Sequence, residues 1–311
     1  MSASHTPRLA RRAALRAVGL TATAAIASAL VAAGPATLAH ARPVAPAVSP
    51  AGTTLAGSVV PAAPRRDANF KKGVGAWAFS RSRRALKKSG VSWYYTWAVN
   101  HPGITTPWGV KFVPMIWGAG DVTARNLKLV KHEGHILLTF NEPDLPAQSN
   151  MTVTEALRLW PRLEATGMRL GSPAVAGGAA TSGSWLAKFM SRAAHRHYRV
   201  DFITLHWYGG DFDTQAAVSQ LESYIQAVWN RYHKPIWLTE FALWRFDPTA
   251  FPSGSQQAAF VTAATRMLQG LPYVWRYSWF ALPSNAADGT AGLFRPGAIA
   301  TAAGRAFERA P

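Results

Sequence analysis

The stretch His135-Ile136-Leu137-Leu138-Thr139-Phe140-Asn141-Glu142-Pro143 is apolar at consecutive positions and ends abruptly in an amide, a carboxylate and a proline. A half-exposed strand would alternate apolar and polar residues. An unbroken apolar run suits a parallel strand covered on both faces. Phe202-Ile203-Thr204-Leu205 repeats the pattern and runs into His206-Trp207-Tyr208. Working outward from these two, short apolar or aromatic runs predict strands over 73–80, 92–97, 111–117, 135–140, 169–173, 201–208, 235–241 and 274–280. Amphipathic helical patterns lie between most of them, most clearly over 123–132, 152–166, 184–194, 214–232 and 255–269, and 301–309 closes the series. The exception is 99–110, which reads as a loop holding Pro and Gly. Eight strand-then-helix repeats in about 245 residues predict a (β/α)8 barrel. The rival is a doubly wound open sheet, but no glycine-rich phosphate loop follows the first strand.

In such a barrel the functional side chains come from the C-terminal ends of the strands. Those ends carry Trp93 to Trp97 on the second, Trp117 on the third, Asn141-Glu142-Pro143-Asp144 on the fourth, His206-Trp207-Tyr208 on the sixth, Glu240 on the seventh and Trp279-Phe280 on the eighth. Two carboxylates amid aromatic rings are what cleavage of a glycosidic bond requires. One group must protonate the departing oxygen, and a negative charge must stand opposite the developing oxocarbenium ion. Burial among rings should hold the proton on Glu142, while Glu240 needs donors to stay ionised, with Tyr208 and His206 as candidates.

Asn141-Glu142-Pro143 and Leu238-Thr239-Glu240-Phe241, 98 residues apart between the glutamates and with His206-Trp207-Tyr208 between them, resemble the signature of clan A glycoside hydrolases. The ordered set is most similar to glycoside hydrolase family 128, over roughly Phe70 to Arg309. The resemblance implies a retaining endo-β-1,3-glucanase, with Glu142 as general acid/base and Glu240 as nucleophile. It implies that Asn141 bonds the sugar 2-hydroxyl and that Trp279 floors the subsite of the cleaved sugar. Trp77, Trp97, Trp117, Trp207 and Trp244 stand where platforms for a glucan chain are expected. No metal and no cofactor are implied, and one copy of the chain should suffice.

Composition bounds the rest. Of 311 residues, 49% are hydrophobic and 15% charged, as a packed globular protein requires. With no cysteine, disulfides, cysteine nucleophiles and thiolate metal sites are excluded. The formal net charge of +18 invites a nucleic-acid reading, but no nucleic-acid-binding motif accompanies it. A solvated basic surface attracted to an anionic wall is the simpler account, with small clusters at Arg81, Arg83, Arg84 and at Lys87, Lys88. Residues 1–41 read as an export leader, with Arg11-Arg12, an apolar run from Val18 to Ala33 too short to span a membrane, and a cleavage site at Ala39-His40-Ala41. The paired arginines partly resemble a twin-arginine signal. Residues 42–66 read as a Pro- and Ala-rich linker, and 67–311 as the catalytic domain of a secreted protein.

Other charged groups are weighed against the pair. Asp144 reads as a turn cap, and Glu133 falls on the opposite end of the sheet. Glu155, Glu164 and Glu222 fall within helices. His195 and His197, two apart, do not share a helix face and make a poor metal pair. His206 reads equally well as a hydrogen-bonded core histidine. Two further readings stay open on the residues alone: a clan A enzyme acting on β-1,4 or β-1,6 linkages, and a glucan-binding protein without catalysis.

Overall fold

The computed structural model describes residues 70–284 and 289–311. The expected leader and linker lie outside the described residues. In chain order the elements are β1 (Lys72–Gly75), α1 (Ser82–Lys88), β2 (Trp93–Tyr95), β3 (Lys111–Phe112), β4 (Met115–Ile116), α2 (Ala124–Glu133), β5 (Ile136–Asn141), α3 (Val153–Glu164) and β6 (Arg169–Ala174). There follow α4 (Trp185–His195), β7 (Ile203–Gly209), α5 (Thr214–Tyr232), β8 (Ile236–Leu243), β9 (Arg245–Phe246), β10 (Thr249–Ala250), α6 (Gly254–Gly270), β11 (Val274–Trp279), β12 (Phe294–Arg295), β13 (Ile299–Ala300) and α7 (Ala302–Arg309).

Six strands pair in the order β3-β2-β1-β11-β8-β7 and three in the order β4-β5-β6, with every pair parallel. Isolated parallel bridges, Gly171 with Phe202 and Val175 with Leu205, join the β6 region to the β7 region. The chain is therefore an α/β protein built on parallel strands. Two short antiparallel hairpins, β9-β10 and β12-β13, are added to it.

Two expected strands differ in a way that matters. The third divides into β3, paired with β2, and β4, paired with β5. Pro114 lies between them and has no N–H to give to a ladder. The first stops at Gly75, five residues short of the expected end, so Trp77 lies beyond the sheet in the following loop. Segment 99–110 is a loop, as its Pro and Gly content predicts.

Helix starts are locally encoded. Thr123, Thr152, Ser184, Asp213, Ser253 and Thr301 each accept a backbone N–H in the first turn of α2 to α7. Such a cap stabilises a helix by about 1 kcal/mol. The apolar interior has two parts. The larger fills the space between strands and helices and includes Val74, Tyr94, Leu137, Phe140, Leu205, Phe241, Phe260 and Trp279. The smaller collects Trp93, Tyr95, Val113, Met115, Leu138, Phe202 and Trp237 from the opposite faces of the strands. Which part a strand residue joins follows from side-chain alternation, and the same alternation decides what faces the site.

Candidate active site

Glu142 follows the last residue of β5, where the ladder with β6 shifts register on either side of Thr139. Phe140 and Glu142 both have positive φ, 29° and 41°, a region that side chains with a Cβ rarely adopt. Irregularity of this kind re-aims a side chain at a strand end. Glu142 N–H is held by Ala174 O at 2.7 Å. Glu240 sits within β8 beside another register shift and faces His206 of β7 as its pairing partner. Both carboxylates are buried, at 8% and 5% exposure. One oxygen of each, together with a ring nitrogen of His206, lies within 4.8 Å of the other two.

The two glutamates are bonded differently. Glu240 Oε1 accepts from Trp97 Nε1 at 2.7 Å and Tyr95 Oη at 3.3 Å, and Oε2 accepts from Tyr208 Oη at 2.5 Å. Three convergent donors complement a negative charge. Burial, and then the charge of Glu240, pushes both tyrosine hydroxyls well above their ordinary range, so they remain neutral donors. Glu142 Oε1 instead shares a 2.8 Å hydrogen bond with His206 Nδ1. Burial lifts the Glu142 carboxyl above the ordinary carboxylate range, and the His206 bond offsets this only in part. His206 is itself fully buried. Desolvation opposes its charge, but Glu240, then Glu142, outweighs it and raises its pKa. Its Nε2 lies 3.4 Å from Glu240 Oε1 without the alignment of a hydrogen bond. By donor type and distance the two carboxylates and the imidazole could also hold a divalent ion, although hydrogen bonding already accounts for much of their closeness.

Of the residues expected to bind substrate, Tyr208 donates to Glu240 as expected, whereas His206 bonds Glu142 rather than Glu240. Asn141 is buried beside Glu142; its Nδ2 donates to Gln148 at 3.3 Å while Oδ1 has no partner among the described residues. Trp77 and Trp97 lie 6.0 Å apart, and Trp244 lies 6.3 Å from Tyr208. Trp117 is half-buried against the smaller core. Two expectations are corrected. Trp279 is 0% exposed, with Nε1 bonded to Ala291 O and its ring edge-on to Phe241, so it is core and not a platform. Trp207 stacks on Phe260 of α6, on the helix side of β7. Alternation explains both, since Tyr208 and Phe280, one residue further along, point the other way. Phe280 lies among Trp77, Trp97 and Tyr208 at 6.4, 5.7 and 5.8 Å. Sequence reasoning missed Phe280, and it missed Tyr95 and Trp97 as donors. Parity along the strands was the available signal. Asp144, the rival acid, accepts the Ala176 N–H at 3.0 Å and ties two loops together.

A family model described as the glycosyl hydrolase catalytic core matches residues 74–306, most of the chain. An endo-β-1,3-glucanase of glycoside hydrolase family 128, from Amycolatopsis mediterranei and solved with laminaritriose, is 55% identical. The match covers 78% of this chain and 100% of that one, with a TM-score of 0.75. This chain belongs to glycoside hydrolase family 128. A second family 128 endo-β-1,3-glucanase, from Sorangium cellulosum, is 32% identical over 78% of this chain and 98% of its own, with a TM-score of 0.65. Alkali-sensitive linkage protein 1 of Schizosaccharomyces pombe is 34% identical over 199 residues, 62% of this chain. The family 128 chain described here spans about a third of that relative's length, 34%. Variants of the Amycolatopsis family 128 enzyme with one or the other of two glutamates replaced, 97 positions apart, have been solved with laminarihexaose and with laminaritriose plus laminaribiose.

Proposed function

We propose that this chain is a retaining endo-β-1,3-glucanase in which Glu142 is the general acid/base and Glu240 the nucleophile. The observation that carries this reading is the pair of buried carboxylates within 4.8 Å of each other, one bonded only by donors and the other lifted by burial. Retaining sites hold their carboxyls about 5–5.5 Å apart, whereas inverting sites need about 6.5–9.5 Å to admit a water. A 55% identical match that covers the whole of an endo-β-1,3-glucanase and 78% of this chain favours that linkage over β-1,4 or β-1,6. Two glutamates replaced in that relative at nearly the same separation as Glu142 and Glu240 favour catalysis over mere binding. We also read the nine parallel strands, β3 and β4 counting as one, as a closed (β/α)8 barrel, supported by the bridges from β6 to β7 and by the hand-over from β3 to β4.

In the first step Glu240 attacks the anomeric carbon while Glu142 protonates the departing oxygen. With Nδ1–H of His206 donating to Oε1, the acid's proton sits on Oε2. Trp97, Tyr95 and Tyr208 hold the attacking carboxylate in place. In the second step Glu142, now ionised, takes a proton from water, which attacks the glycosyl-enzyme and releases Glu240. Every transfer runs between substrate, water and the two carboxylates, so one copy suffices and no cofactor is called for. The unpartnered Asn141 Oδ1 supports a bond to the sugar 2-hydroxyl. The half-buried rings of Trp77, Trp97 and Phe280 would line the bound chain, with the buried Trp244 packed behind Phe280. Export of the enzyme, proposed from its leader, would bring it to a glucan outside the cell. Proton NMR of the first products from laminarin tests the reading. It expects β-anomers from internal cleavage; α-anomers would overturn double displacement.

A further inference from the structure

We propose that Trp108 is a second, non-catalytic platform for a β-glucan chain, at the end of the sheet opposite the two glutamates; this rests on the glucan-hydrolase reading above. Trp108 is 99% exposed. Among the described residues no ring contact or hydrogen bond uses the indole, and packing within 70–284 and 289–311 does not require one there. The loop around it is nevertheless fixed. Ile104 and Pro107 are buried on one side. Tyr94 Oη bonds Thr106 Oγ1 at 2.7 Å, Ile104 N–H donates to His101 O at 3.1 Å, and Val110 N–H donates to Pro107 O at 3.2 Å. The His101 ring packs 4.7 Å from Phe112. A costly apolar group is thus displayed on a rigid support, which is how a site limits the entropy lost on binding.

Its place is set by the strand directions. Lys111, three residues on, begins β3, so Trp108 lies where the parallel strands start, whereas Glu142 and Glu240 lie towards their other end. The shape of the patch selects the occupant. Thr105, Gly109 and Lys111 around it are exposed and not apolar. A stable contact with a second copy takes about 800 Å² per partner, and one indole supplies about 250 Å² at most. The other exposed large apolar side chains among the described residues, Leu129, Phe251 and Ile299, belong to α2, the loop after β10, and β13. A lone flat ring with a polar rim suits the C–H face of a pyranose, whose weakly positive hydrogens meet the negative face of the ring. A polymer held both there and in the cleft gains retention beyond either contact alone.

The test uses the full chain in a Glu240→Gln background, which stops turnover, and measures depletion onto insoluble curdlan. Adding Trp108→Ala is expected to weaken retention about five- to tenfold, the scale of losing one aromatic stack, while Trp108→Phe keeps most of it. Thermal melting of both variants should match the parent. Equal retention with and without the indole overturns the proposal. So does a change of oligomeric state on Trp108→Ala in sedimentation, which would assign the ring to contact between copies. Hydrolysis of laminarihexaose by the wild-type chain reports the underlying reading separately, because it depends on the cleft and not on Trp108.

Discussion

Gly75 makes no polar side-chain contact, yet its replacement by Ala should cripple the site. A Cβ at this position would stand 2.5 Å from Trp97 Cη2 and 2.9 Å from Cζ2, where ordinary contact begins at 3.4 Å. The indole must therefore retreat by roughly 1 Å, since the added methyl sits on a backbone held in β1 between two neighbours. Trp97 Nε1 now donates to Glu240 Oε1 at 2.7 Å, and a retreat of that size ends the bond. A hydrogen bond to a charged group is worth about 1.5–3 kcal/mol, which corresponds to a fall of roughly 10- to 150-fold in kcat. Stability should change less than activity, because Trp97 is only half-buried. The assay is kcat on laminarihexaose beside the melting temperature, with Trp97→Phe as comparison. If the effect runs through the indole, Gly75→Ala/Trp97→Phe is no slower than Trp97→Phe alone. A Gly75→Ala enzyme within twofold of wild type, or strict additivity in the double variant, would refute the reasoning.

Three further outcomes follow from the same geometry. Glu142→Gln should keep the first step for substrates with an activated leaving group and stall the second, and azide should then restore turnover with a β-glycosyl azide as product; an azide-insensitive rate with the second step limiting would shift attention to Asp144. The basic limb of the pH–rate profile reports loss of the Glu142 proton, which burial already places above the ordinary carboxylate range. His206 lowers that pKa, so His206→Asn should move the limb to higher pH, and a limb that stays or falls would contradict the assignment. Trp279→Ala should cost about 3–5 kcal/mol of stability as a core truncation, whereas Phe280→Ala should reduce activity with little change in melting temperature; the reverse pattern would restore Trp279 as a platform.

The consecutive apolar runs identified parallel strands because covering on both faces leaves no polar position, and that signal is local. The caps at Thr123, Thr152, Ser184 and Ser253 are local too, each a side chain three residues from the N–H it accepts. So was the placing of Glu142 and Glu240 at the ends of strands four and seven in the expected series. What lies across the sheet was not legible in this way. The donors that grip Glu240 come from Tyr95 and Trp97, 145 and 143 residues away, and only the pairing of distant strands brings them to it. Facing was decided there as well. Period-two alternation tells a reader that Trp279 and Phe280, or Trp207 and Tyr208, point opposite ways, but not which way. Register shifts beside Thr139, Leu205 and Tyr277 move side chains relative to their neighbours, and those shifts exist only once strands are paired. The residue types and their order along the chain came from sequence; which side chains meet at the carboxylates came from the tertiary structure, because contact between strands is a non-local event.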